Sequence, residues 1–353
     1  MNCPINPGSS NSAASPAPRL AVVIVNWNVC QLLRDCLRSL EEDGVRELGE
    51  VHVVDNASAD DSVEMVAREF PWVRLTASSQ NLGFSRGNNL VLRNVRADYI
   101  LLLNPDVIVH RGTLRTMLEF AWGNPEYGLI APKQYAADGS LQYEAAVNYP
   151  TIWNVICDLT FLSAVFSKSR WFSSRKMGHW DHQDSREVPA VSGAAMLMPA
   201  AVLERVGLLD EAMFCVEDMD YCRRVREAGW SIYYLASAPI VHFGRSSINQ
   251  YEKQGSQRQV MFQSFWLYRL KHYGRMSSAL LSLSMALWAI GALFIVAPVA
   301  AVVSSGSGFG KRLRQLRQIA SDLLHWSLSN KRRFEHPLAA SPAFAVHKRG
   351  KTA

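Results

Sequence analysis

The sequence of 353 residues is poor in cysteine and has none of the paired spacings that build zinc sites or small disulfide scaffolds. Its six cysteines are scattered, and no CxxC pair occurs among them. Several fall inside apolar strand or helix patterns, which favours a reducing, cytoplasmic compartment. A chain of this length can bury a large core without crosslinks.

Two glycine-rich loops are also missing after the first predicted strand, LAVVIVN. An NAD-dependent oxidoreductase would continue into G-x-G-x-x-G, whereas Asn26-Trp27-Asn28 ends the strand here. A sugar nucleotidyltransferase would carry a glycine-rich, basic loop at the same place, and none is found. The sequence therefore argues against both enzyme classes.

Short, β-branched runs alternate with stretches of helical apolar spacing over the first 110 residues, beginning at Leu20, Val51, Val73 and Tyr99. Such alternation predicts an α/β protein with a doubly wound, mostly parallel sheet. Ligands bind beyond the carboxyl ends of the strands in these sheets. Polar clusters stand at three of those ends, at 26–28, 55–56 and 104–106, so we expect them to converge on one site.

Acidic residues mark two candidate centres. Asp106 follows an apolar strand and a proline, where a carboxylate could bind a hard divalent cation or serve as a turn residue. Glu217, Asp218 and Asp220 crowd together in EDMDYCRR, and such like charges predict a raised pKa or a nearby cation. A carboxylate of this kind suits proton abstraction, although a solvated helix start is the alternative. His242 ends a strand and becomes a candidate metal ligand only if the fold brings it beside Asp106.

Seven motifs in a fixed order carry a family resemblance. They span Leu20 to Ser247, about two thirds of the chain, and read VIVNWN, VVDNASADDS, NLGFSRGNN, LLLNPDV, SGAAMLM, EDMDYCRR and IVHFGRSS. Together they resemble the family 2 glycosyltransferases of the bacterial rhamnosyltransferase-like kind. The resemblance implies a GT-A fold and inverting transfer of a sugar from a nucleoside-diphosphate donor to a hydroxyl. Rhamnose is the leading donor sugar, and the implied cofactor is Mg²⁺ or Mn²⁺.

The resemblance also implies roles for individual residues. The nucleotide-sugar site would comprise Asn26, Asn28, Asp55, Asn81, Gly83, Arg86, Gly87, Asn88 and Asn104. Asp106 and His242 would bind the metal, Asp218 would act as the catalytic base beside Glu217, and Gly193 and Asp220 would contact the donor or acceptor sugar. Four positions depart from the family pattern. Asn104 replaces the first aspartate of the DXD-type motif, and Pro199 stands where many relatives carry a basic residue. Ser85 and Arg86 replace small residues, so Arg86 either reaches the diphosphate or points to solvent.

A catalytically silent protein of the same fold is the competing hypothesis. Such a scaffold would bind a nucleotide sugar or lipid without transferring it, and it would be expected to lose Asp106 or Asp218. Both residues are present. The enzyme hypothesis is therefore favoured.

The sequence divides into four predicted regions. Residues 1–18 lack the basic start and apolar centre of a signal peptide and are expected to form a disordered leader. Residues 19–275 would form the GT-A domain. Its excursion at 143–187, rich in aromatic and basic residues, would be either a variable segment packed on the core or a lid or membrane-facing acceptor surface. Residues 276–310 are predicted to be membrane-associated, and 311–353 to form a basic amphipathic helix and tail.

The predicted membrane segment carries no charge from Ser277 to Phe309, which is long enough to cross a bilayer. Basic residues flank both ends, and the positive-inside tendency favours keeping both on the cytoplasmic side. We therefore expect a re-entrant or interface-lying hairpin at the cytoplasmic face of the cell membrane. A single span and a buried hairpin of a soluble protein are the alternatives. The expected partners are a nucleoside-diphosphate sugar, a lipid-linked or cell-envelope glycan acceptor and anionic lipids, with no nucleic acid.

Overall fold

The computed structural model describes residues 19–160, 162–213, 215–244 and 257–291. Its strands are β1 Leu20–Asn26, β2 Gly49–Asp55, β3 Arg74–Ala77, β4 Tyr99–Leu103, β5 Val107–Val109, β6 Tyr127–Tyr135, β7 Ala146–Val147, β8 Arg186–Glu187, β9 Ala190–Val191, β10 Ala195–Pro199 and β11 Ser231–His242. Its helices are α1 Cys30–Glu42, α2 Val45–Leu48, α3 Ser62–Glu69, α4 Gly83–Leu92, α5 Thr113–Gly123, α6 Ile152–Leu159, α7 Leu162–Val165, α8 Ala200–Val206, α9 Glu217–Glu227 and α10 Gln257–Gly291, with a 3₁₀ turn at Tyr143–Ala145.

One mixed sheet organises the fold. Its strand order is β3-β2-β1-β4-β10-β6-β11-β5, with β8 beside β11, while β7 and β9 form a separate pair. Strands β1, β2, β3, β4, β6 and β11 run in one direction, and β5, β8 and β10 run against them. The mostly parallel, doubly wound α/β sheet predicted from the sequence is therefore present.

Helices cover both faces of the sheet. Along β1, Leu20, Val22 and Ile24 join a core with residues of α1, α3 and α5, whereas Val23 joins a second core with residues of α4, α8 and α9. A strand buried on both sides needs apolar residues at every position rather than at alternate ones. This requirement explains the unbroken apolar run of β1.

Helix α4 contains most of the glycine- and asparagine-rich motif NLGFSRGNN. Gly83 begins the helix with a positive φ of 76°. A Cβ at Gly87 would lie 2.8 Å from the Val25 Cγ1, too close for a real contact. Gly87 therefore allows α4 to pack closely on β1, and the structure gives this glycine a packing role where the sequence suggested approach to a diphosphate.

The C-terminal part of the described chain is the long helix α10, interrupted at Gly274, which has φ 80° and ψ 178°. The interruption lies one residue before the predicted domain boundary at 275/276. Among the helices that can be described, none has both the length and the apolar character to span a bilayer. The predicted leader at 1–18, the segment 292–310 and the basic region 311–353 lie outside the described residues.

A buried carboxylate fastens α10 to α9. Asp220 is completely buried, and its oxygens lie 2.8 Å from the Arg224 Nε, 2.8 Å from the Lys271 Nζ and 2.7 Å from the His272 Nε2. Burial alone would raise the pKa of Asp220, but the hydrogen bonds from His272 and Lys271 and the charge of Arg224 hold it well below its usual range. Asp220 is predicted to contact a sugar. In the structure its carboxylate is instead enclosed by these three basic side chains.

Replacing Asp220 by asparagine should destabilise the protein by about 3 kcal/mol, because three basic side chains would lose the buried charge that compensates them. Urea unfolding at neutral pH measures this loss. The matched change Glu227→Gln, at a largely exposed carboxylate, should cost less than about 1 kcal/mol. Since the pKa of Asp220 is depressed, the difference between wild type and Asp220→Asn should persist above about pH 4 and shrink only below it. Equal stability of the Asp220→Asn and Glu227→Gln variants would contradict this role.

Candidate functional site

The carboxyl ends of β1 and β2 hold a compact polar turn. Asp55 is buried and accepts hydrogen bonds from the Asn26 Nδ2 at 2.9 Å and from the N–H and hydroxyl of Ser58 at 2.9 and 2.6 Å. Asn26 is also buried, and its Oδ1 has no hydrogen-bond partner within the described residues. Asp55 therefore orients the Asn26 side chain, whose Oδ1 is left for a ligand.

Asn28 completes this turn in the left-handed conformation, with φ 53°. Its N–H donates to the Ser58 Oγ at 2.9 Å, and its Oδ1 accepts from the Ala59 N–H at 2.6 Å. Asparagine tolerates this backbone conformation better than most residues. The loops after β1 and β2 are thereby joined into one unit.

The start of α4 lies against the same unit. The Asn56 Nδ2 donates to the Gly83 carbonyl at 3.1 Å, and the Gly83 N–H donates to the Asn81 Oδ1 at 2.9 Å. The Ser85 Oγ and the Asn88 Oδ1 are buried and, within the described part of the chain, have no partner. Unpaired buried polar atoms are costly, so their presence here fits a site that receives a polar ligand.

Arg86 points towards Glu211. Its Nε lies 3.4 Å from the Glu211 Oε2, at the surface of the molecule. The Arg93 Nη2 approaches the other oxygen of Glu211 at 2.7 Å. The expected contact of Arg86 with the diphosphate would therefore require it to leave this carboxylate.

Asp106 and His242 are brought together by the pairing of β5 with β11. In this antiparallel pair Val107 lies opposite His242, and the Phe243 N–H donates to the Asp106 carbonyl at 3.0 Å. The His242 Nε2 then lies 3.4 Å from the Asp106 Oδ1. The condition set for His242 from the sequence is met.

Gln142 fixes the histidine ring. Its Oε1 lies 3.0 Å from the His242 Nδ1, and its Nε2 donates to the His242 carbonyl at 2.6 Å. The Gln142 N–H in turn donates to the Gln134 carbonyl, and the Gln134 Nε2 donates to the Ser192 Oγ at 3.2 Å. Such a partner on Nδ1 leaves Nε2 for the site, an arrangement common around metal-bound histidines.

The loop 192–194 joins the base candidate to the end of β4. The Gly193 N–H donates to the Asp218 Oδ2 at 2.9 Å, and the Ala194 carbonyl accepts from the Asn104 N–H at 2.9 Å. Asp218 is thereby held near the carboxyl end of β4, which Asn104 and Asp106 follow. The described geometry brings this carboxylate and the Asp106–His242 pair to one end of the fold.

Glu217 and Asp218 occupy the first turn of α9. Burial, and secondly the charge of Asp218, raise the pKa of Glu217. Burial also raises the pKa of Asp218, against the opposing effect of hydrogen bonds from the Gly193 and Met219 N–H groups. Cys215, just before the helix, has a positive φ of 72°, which is strained for a residue with a side chain. A carboxylate with a raised pKa suits proton transfer.

A divalent cation fits Asp106 and His242 as a partial ligand set. Within the described residues no group of three or more His, Cys, Asp or Glu side chains could hold a metal. One carboxylate and one imidazole are suitable ligands for Mn²⁺ and, less ideally, for Mg²⁺. Both ions commonly complete their coordination with water and substrate phosphates, so the residues present fit a cation that binds together with a diphosphate.

Sequence reasoning missed several residues of this site. Gln134 and Gln142 bear no recognisable motif and meet Ser192 and His242 only through tertiary packing. Asn56 belongs to the polar cluster 55–56 expected at this strand end, and Ser58 follows it in the same motif. Of the predicted site residues, Asp220 and Gly87 have the structural roles described above.

The chain is similar in sequence to several known proteins. The chain is 26% identical over 235 residues to the N-acetylglucosaminyl-diphospho-decaprenol L-rhamnosyltransferase of Mycobacterium tuberculosis, covering 63% of this chain and 75% of the relative. It is 22% identical over 228 residues to a low-salt glycan biosynthesis hexosyltransferase of Haloferax volcanii, covering 63% and 66%.

Among solved structures, a mannosyltransferase of Pyrobaculum calidifontis in complex with GDP-Man and Mn²⁺ has a TM-score of 0.49 and 17% identity, covering 89% of this chain and 87% of the other. S. aureus TarS has a TM-score of 0.48 and 12% identity, covering 88% and 90%. At this level of likeness neither structure adds to the assignment.

The family comparison covers most of the fold described above. The model of the glycosyltransferase-like family 2 matches residues 17–261, from just before β1 into α10. That span includes Asp55, Asp106, Asp218 and His242. The chain therefore belongs to glycosyltransferase family 2.

Proposed function

We propose that this enzyme transfers a sugar, with inversion at the anomeric carbon, from a nucleoside-diphosphate donor to a hydroxyl of a glycan acceptor. The observation that carries the proposal is the position of Asp218. This partly buried carboxylate has a raised pKa and lies at the same end of the fold as the Asp106–His242 pair. A catalytically silent scaffold would have no need of such a base.

The donor is proposed to bind across the ends of β1, β2 and α4. The turn formed by Asn26, Asn28 and Asp55 would receive the nucleoside, and the N-terminus of α4 would face the diphosphate, where helix termini favour anions. The unpaired oxygens of Asn26 and Asn88 and the Ser85 hydroxyl would gain partners from the donor or its bound water. Asn104, at the end of β4, would lie between these groups and Asp106.

Transfer is a single displacement in this scheme. The acceptor hydroxyl oxygen attacks the anomeric carbon on the face opposite the diphosphate, and its proton passes to Asp218. The bond between the anomeric carbon and the diphosphate oxygen breaks, and its electron pair leaves with the diphosphate. The Gly193 N–H holds the Asp218 carboxylate in place for this proton transfer. Glu217, which has the neighbouring raised pKa, is proposed to stay neutral beside it.

Asp106 and His242 would hold a divalent cation, Mg²⁺ or Mn²⁺, with the donor diphosphate. When bound, such a cation stabilises the negative charge that develops on the leaving diphosphate. Gln142 would keep the His242 Nε2 directed at this position.

The donor sugar and acceptor are proposed from the mycobacterial relative, whose name describes rhamnosyl transfer to a polyprenyl-diphosphate-linked sugar. We propose deoxythymidine-diphosphate rhamnose as donor and a lipid-linked or cell-envelope glycan as acceptor. A lipid-linked acceptor would place the reaction at a membrane surface, proposed here to be the cytoplasmic face of the cell membrane.

Replacing Asp218 by asparagine should lower kcat by about 10²- to 10⁴-fold, because the amide cannot accept the acceptor proton. Donor binding, measured by thermal stabilisation with nucleoside diphosphate and Mn²⁺, should change little. The matched variant Asp61→Asn makes the same chemical change at an exposed position just before α3 and should retain full activity. Full activity in Asp218→Asn would exclude it as the base.

The pH profile should report the environment of the base. Because Asp218 works in its ionised form and its pKa is raised, activity should fall with decreasing pH at a higher pH than an ordinary aspartate, near 3.9, would give. Glu217→Gln should keep this acidic limb and lose less than about tenfold in kcat, since glutamine resembles the neutral acid. If Glu217→Gln abolishes activity while Asp218→Asn retains it, the roles of the two carboxylates are reversed.

Asp106→Asn and His242→Gln should each remove the additional thermal stabilisation that Mn²⁺ gives in the presence of thymidine diphosphate or uridine diphosphate. Stabilisation by the nucleotide alone should remain, because the turn at Asn26 and Asp55 is untouched. The control His110→Gln changes an exposed histidine that follows β5 and should keep the Mn²⁺-dependent stabilisation. Unaltered Mn²⁺-dependent stabilisation in both Asp106→Asn and His242→Gln would exclude the proposed metal site.

A further inference from the structure

Large apolar side chains are exposed in residues 162–172, which we name the aromatic loop. It comprises α7 and the turns that follow. Trp171 is 78% exposed, Val165 71% and Phe166 48%. Large apolar groups gathered at a surface mark sites of interaction with proteins, membranes or ligands.

The loop is packed from beneath, so its exposed groups have a fixed support. The Trp153 Nε1 donates to the Trp171 carbonyl at 3.0 Å. The Phe172 ring centroid lies 5.0 Å from that of Phe166 and 5.9 Å from that of Trp153. The Ser169 hydroxyl accepts from the Trp171 and Phe172 N–H groups. The loop therefore presents the Trp171 indole outwards without first having to be ordered.

The same surface is cationic. Residues 159–176 contain four basic residues and no acidic one. Arg175 and Lys176 are paired with Asp158 and Glu144. Lys168 and Arg170, which flank Ser169 in the loop, are exposed and form no ion pair within the described residues. The loop thus combines an apolar tip with two uncompensated positive charges.

An anionic bilayer suits this combination better than other occupants. Tryptophan favours the interface between headgroups and hydrocarbon, and each basic residue near an anionic surface contributes attraction. In a symmetric dimer the patch would meet its own copy, setting like charges together. The chain's own segment 311–353 is rich in lysine and arginine and would repel the loop in the same way.

The position of the loop relates it to the candidate site. The excursion leaves from β7 and returns to β9, which pair with each other, and β9 continues directly into Ser192 and Gly193. Helix α6, which precedes the loop, packs against α10. Beyond Gly274, α10 carries an exposed apolar stripe at helical spacing, formed by Met276, Leu280, Leu283 and Leu287. The aromatic loop, through α7, and α10 therefore both pack against α6, and the excursion that contains the loop returns through β9 to the residues that hold Asp218.

We infer that the aromatic loop docks the enzyme on anionic membranes, with Val165, Phe166 and Trp171 entering the interface and Lys168 and Arg170 contacting lipid phosphates. Membrane binding itself does not depend on the proposed function. Its role in catalysis rests on that function, because docking would bring the candidate site to a lipid-linked acceptor.

Sedimentation of the full chain with vesicles tests the docking surface. Lys168→Gln/Arg170→Gln should weaken binding to vesicles of phosphatidylcholine and phosphatidylglycerol by roughly 30-fold, at about 1 kcal/mol for each charge. Phe166→Ala/Trp171→Ala should weaken binding by tenfold or more. The matched controls Trp122→Ala, at an exposed tryptophan on α5, and Arg96→Gln/Arg111→Gln, at exposed arginines elsewhere, should bind like the wild type.

Hydrogen exchange provides a second measurement that does not depend on substitution. Amides of residues 162–172 in the wild type should become protected when phosphatidylglycerol-containing vesicles are added, and should not be protected by phosphatidylcholine alone. Wild-type vesicle binding in both loop variants, together with unchanged exchange in 162–172, would overturn the inference. So would a dimer in solution that Phe166→Ala/Trp171→Ala dissociates while vesicle binding is unaffected.

Activity separates failure of the docking surface from failure of the proposed function. The loop variants should retain transfer to a water-soluble acceptor analogue and lose transfer to a lipid-linked acceptor embedded in vesicles. Asp218→Asn should lose both reactions and still bind vesicles. An Asp218→Asn protein that binds vesicles and remains fully active would reject the assigned base and leave the docking surface standing.

Discussion

The hydrogen bond from the Gly193 N–H to Asp218 is the contact on which the geometry of the site depends. It sets the base candidate, carried by α9, against the end of β4 through the adjoining bond between Ala194 and Asn104. A neutral N–H compensates a carboxylate only in part, which is why burial still raises the pKa of Asp218. Had an arginine or lysine occupied the place of this N–H, the carboxylate would be held ionised and would be a poorer proton acceptor.

Asp220, two residues further along α9, shows the opposite outcome. Its three basic neighbours overcome the effect of burial and depress its pKa. The first turn of α9 thus carries carboxylates whose pKa values shift in opposite directions, raised for Glu217 and Asp218 and lowered for Asp220, because the surroundings of each differ. Asp220 links α9 to α10.

The sequence predicts the sheet well and the site only in part. Strands β1 and β4 are nearly continuous apolar runs because both faces of the sheet are covered, and their polar ends are visible for the same reason. The three-residue strand β5 is too short to stand out, yet its register with β11 brings Asp106 to His242. Because β5 is not visible in the sequence, the pairing of Asp106 with His242 could be predicted only from the family resemblance.

Glycine and asparagine can serve packing as well as ligand binding. In NLGFSRGNN, Gly87 is required where α4 touches Val25, and Asn89 is buried with its amide bonded to the Leu209 carbonyl at 3.0 Å. Asp220 resembled a ligand-binding carboxylate because its partners Lys271 and His272 lie about fifty residues away. Contacts at that distance leave no local pattern to read.

The unpaired polar atoms near α4 connect stability with ligand binding. Asn26, Ser85 and Asn88 each bury an oxygen without a partner in the described residues, and each such atom costs about 1 to 3 kcal/mol. The fold tolerates this cost because Asp55 and the Phe84 carbonyl hold the amide ends of the two asparagines in place. A ligand that supplies donors to these oxygens recovers interaction energy that the protein alone does not have. The orientation of the asparagines, fixed before binding, therefore favours ligands whose donors match those positions.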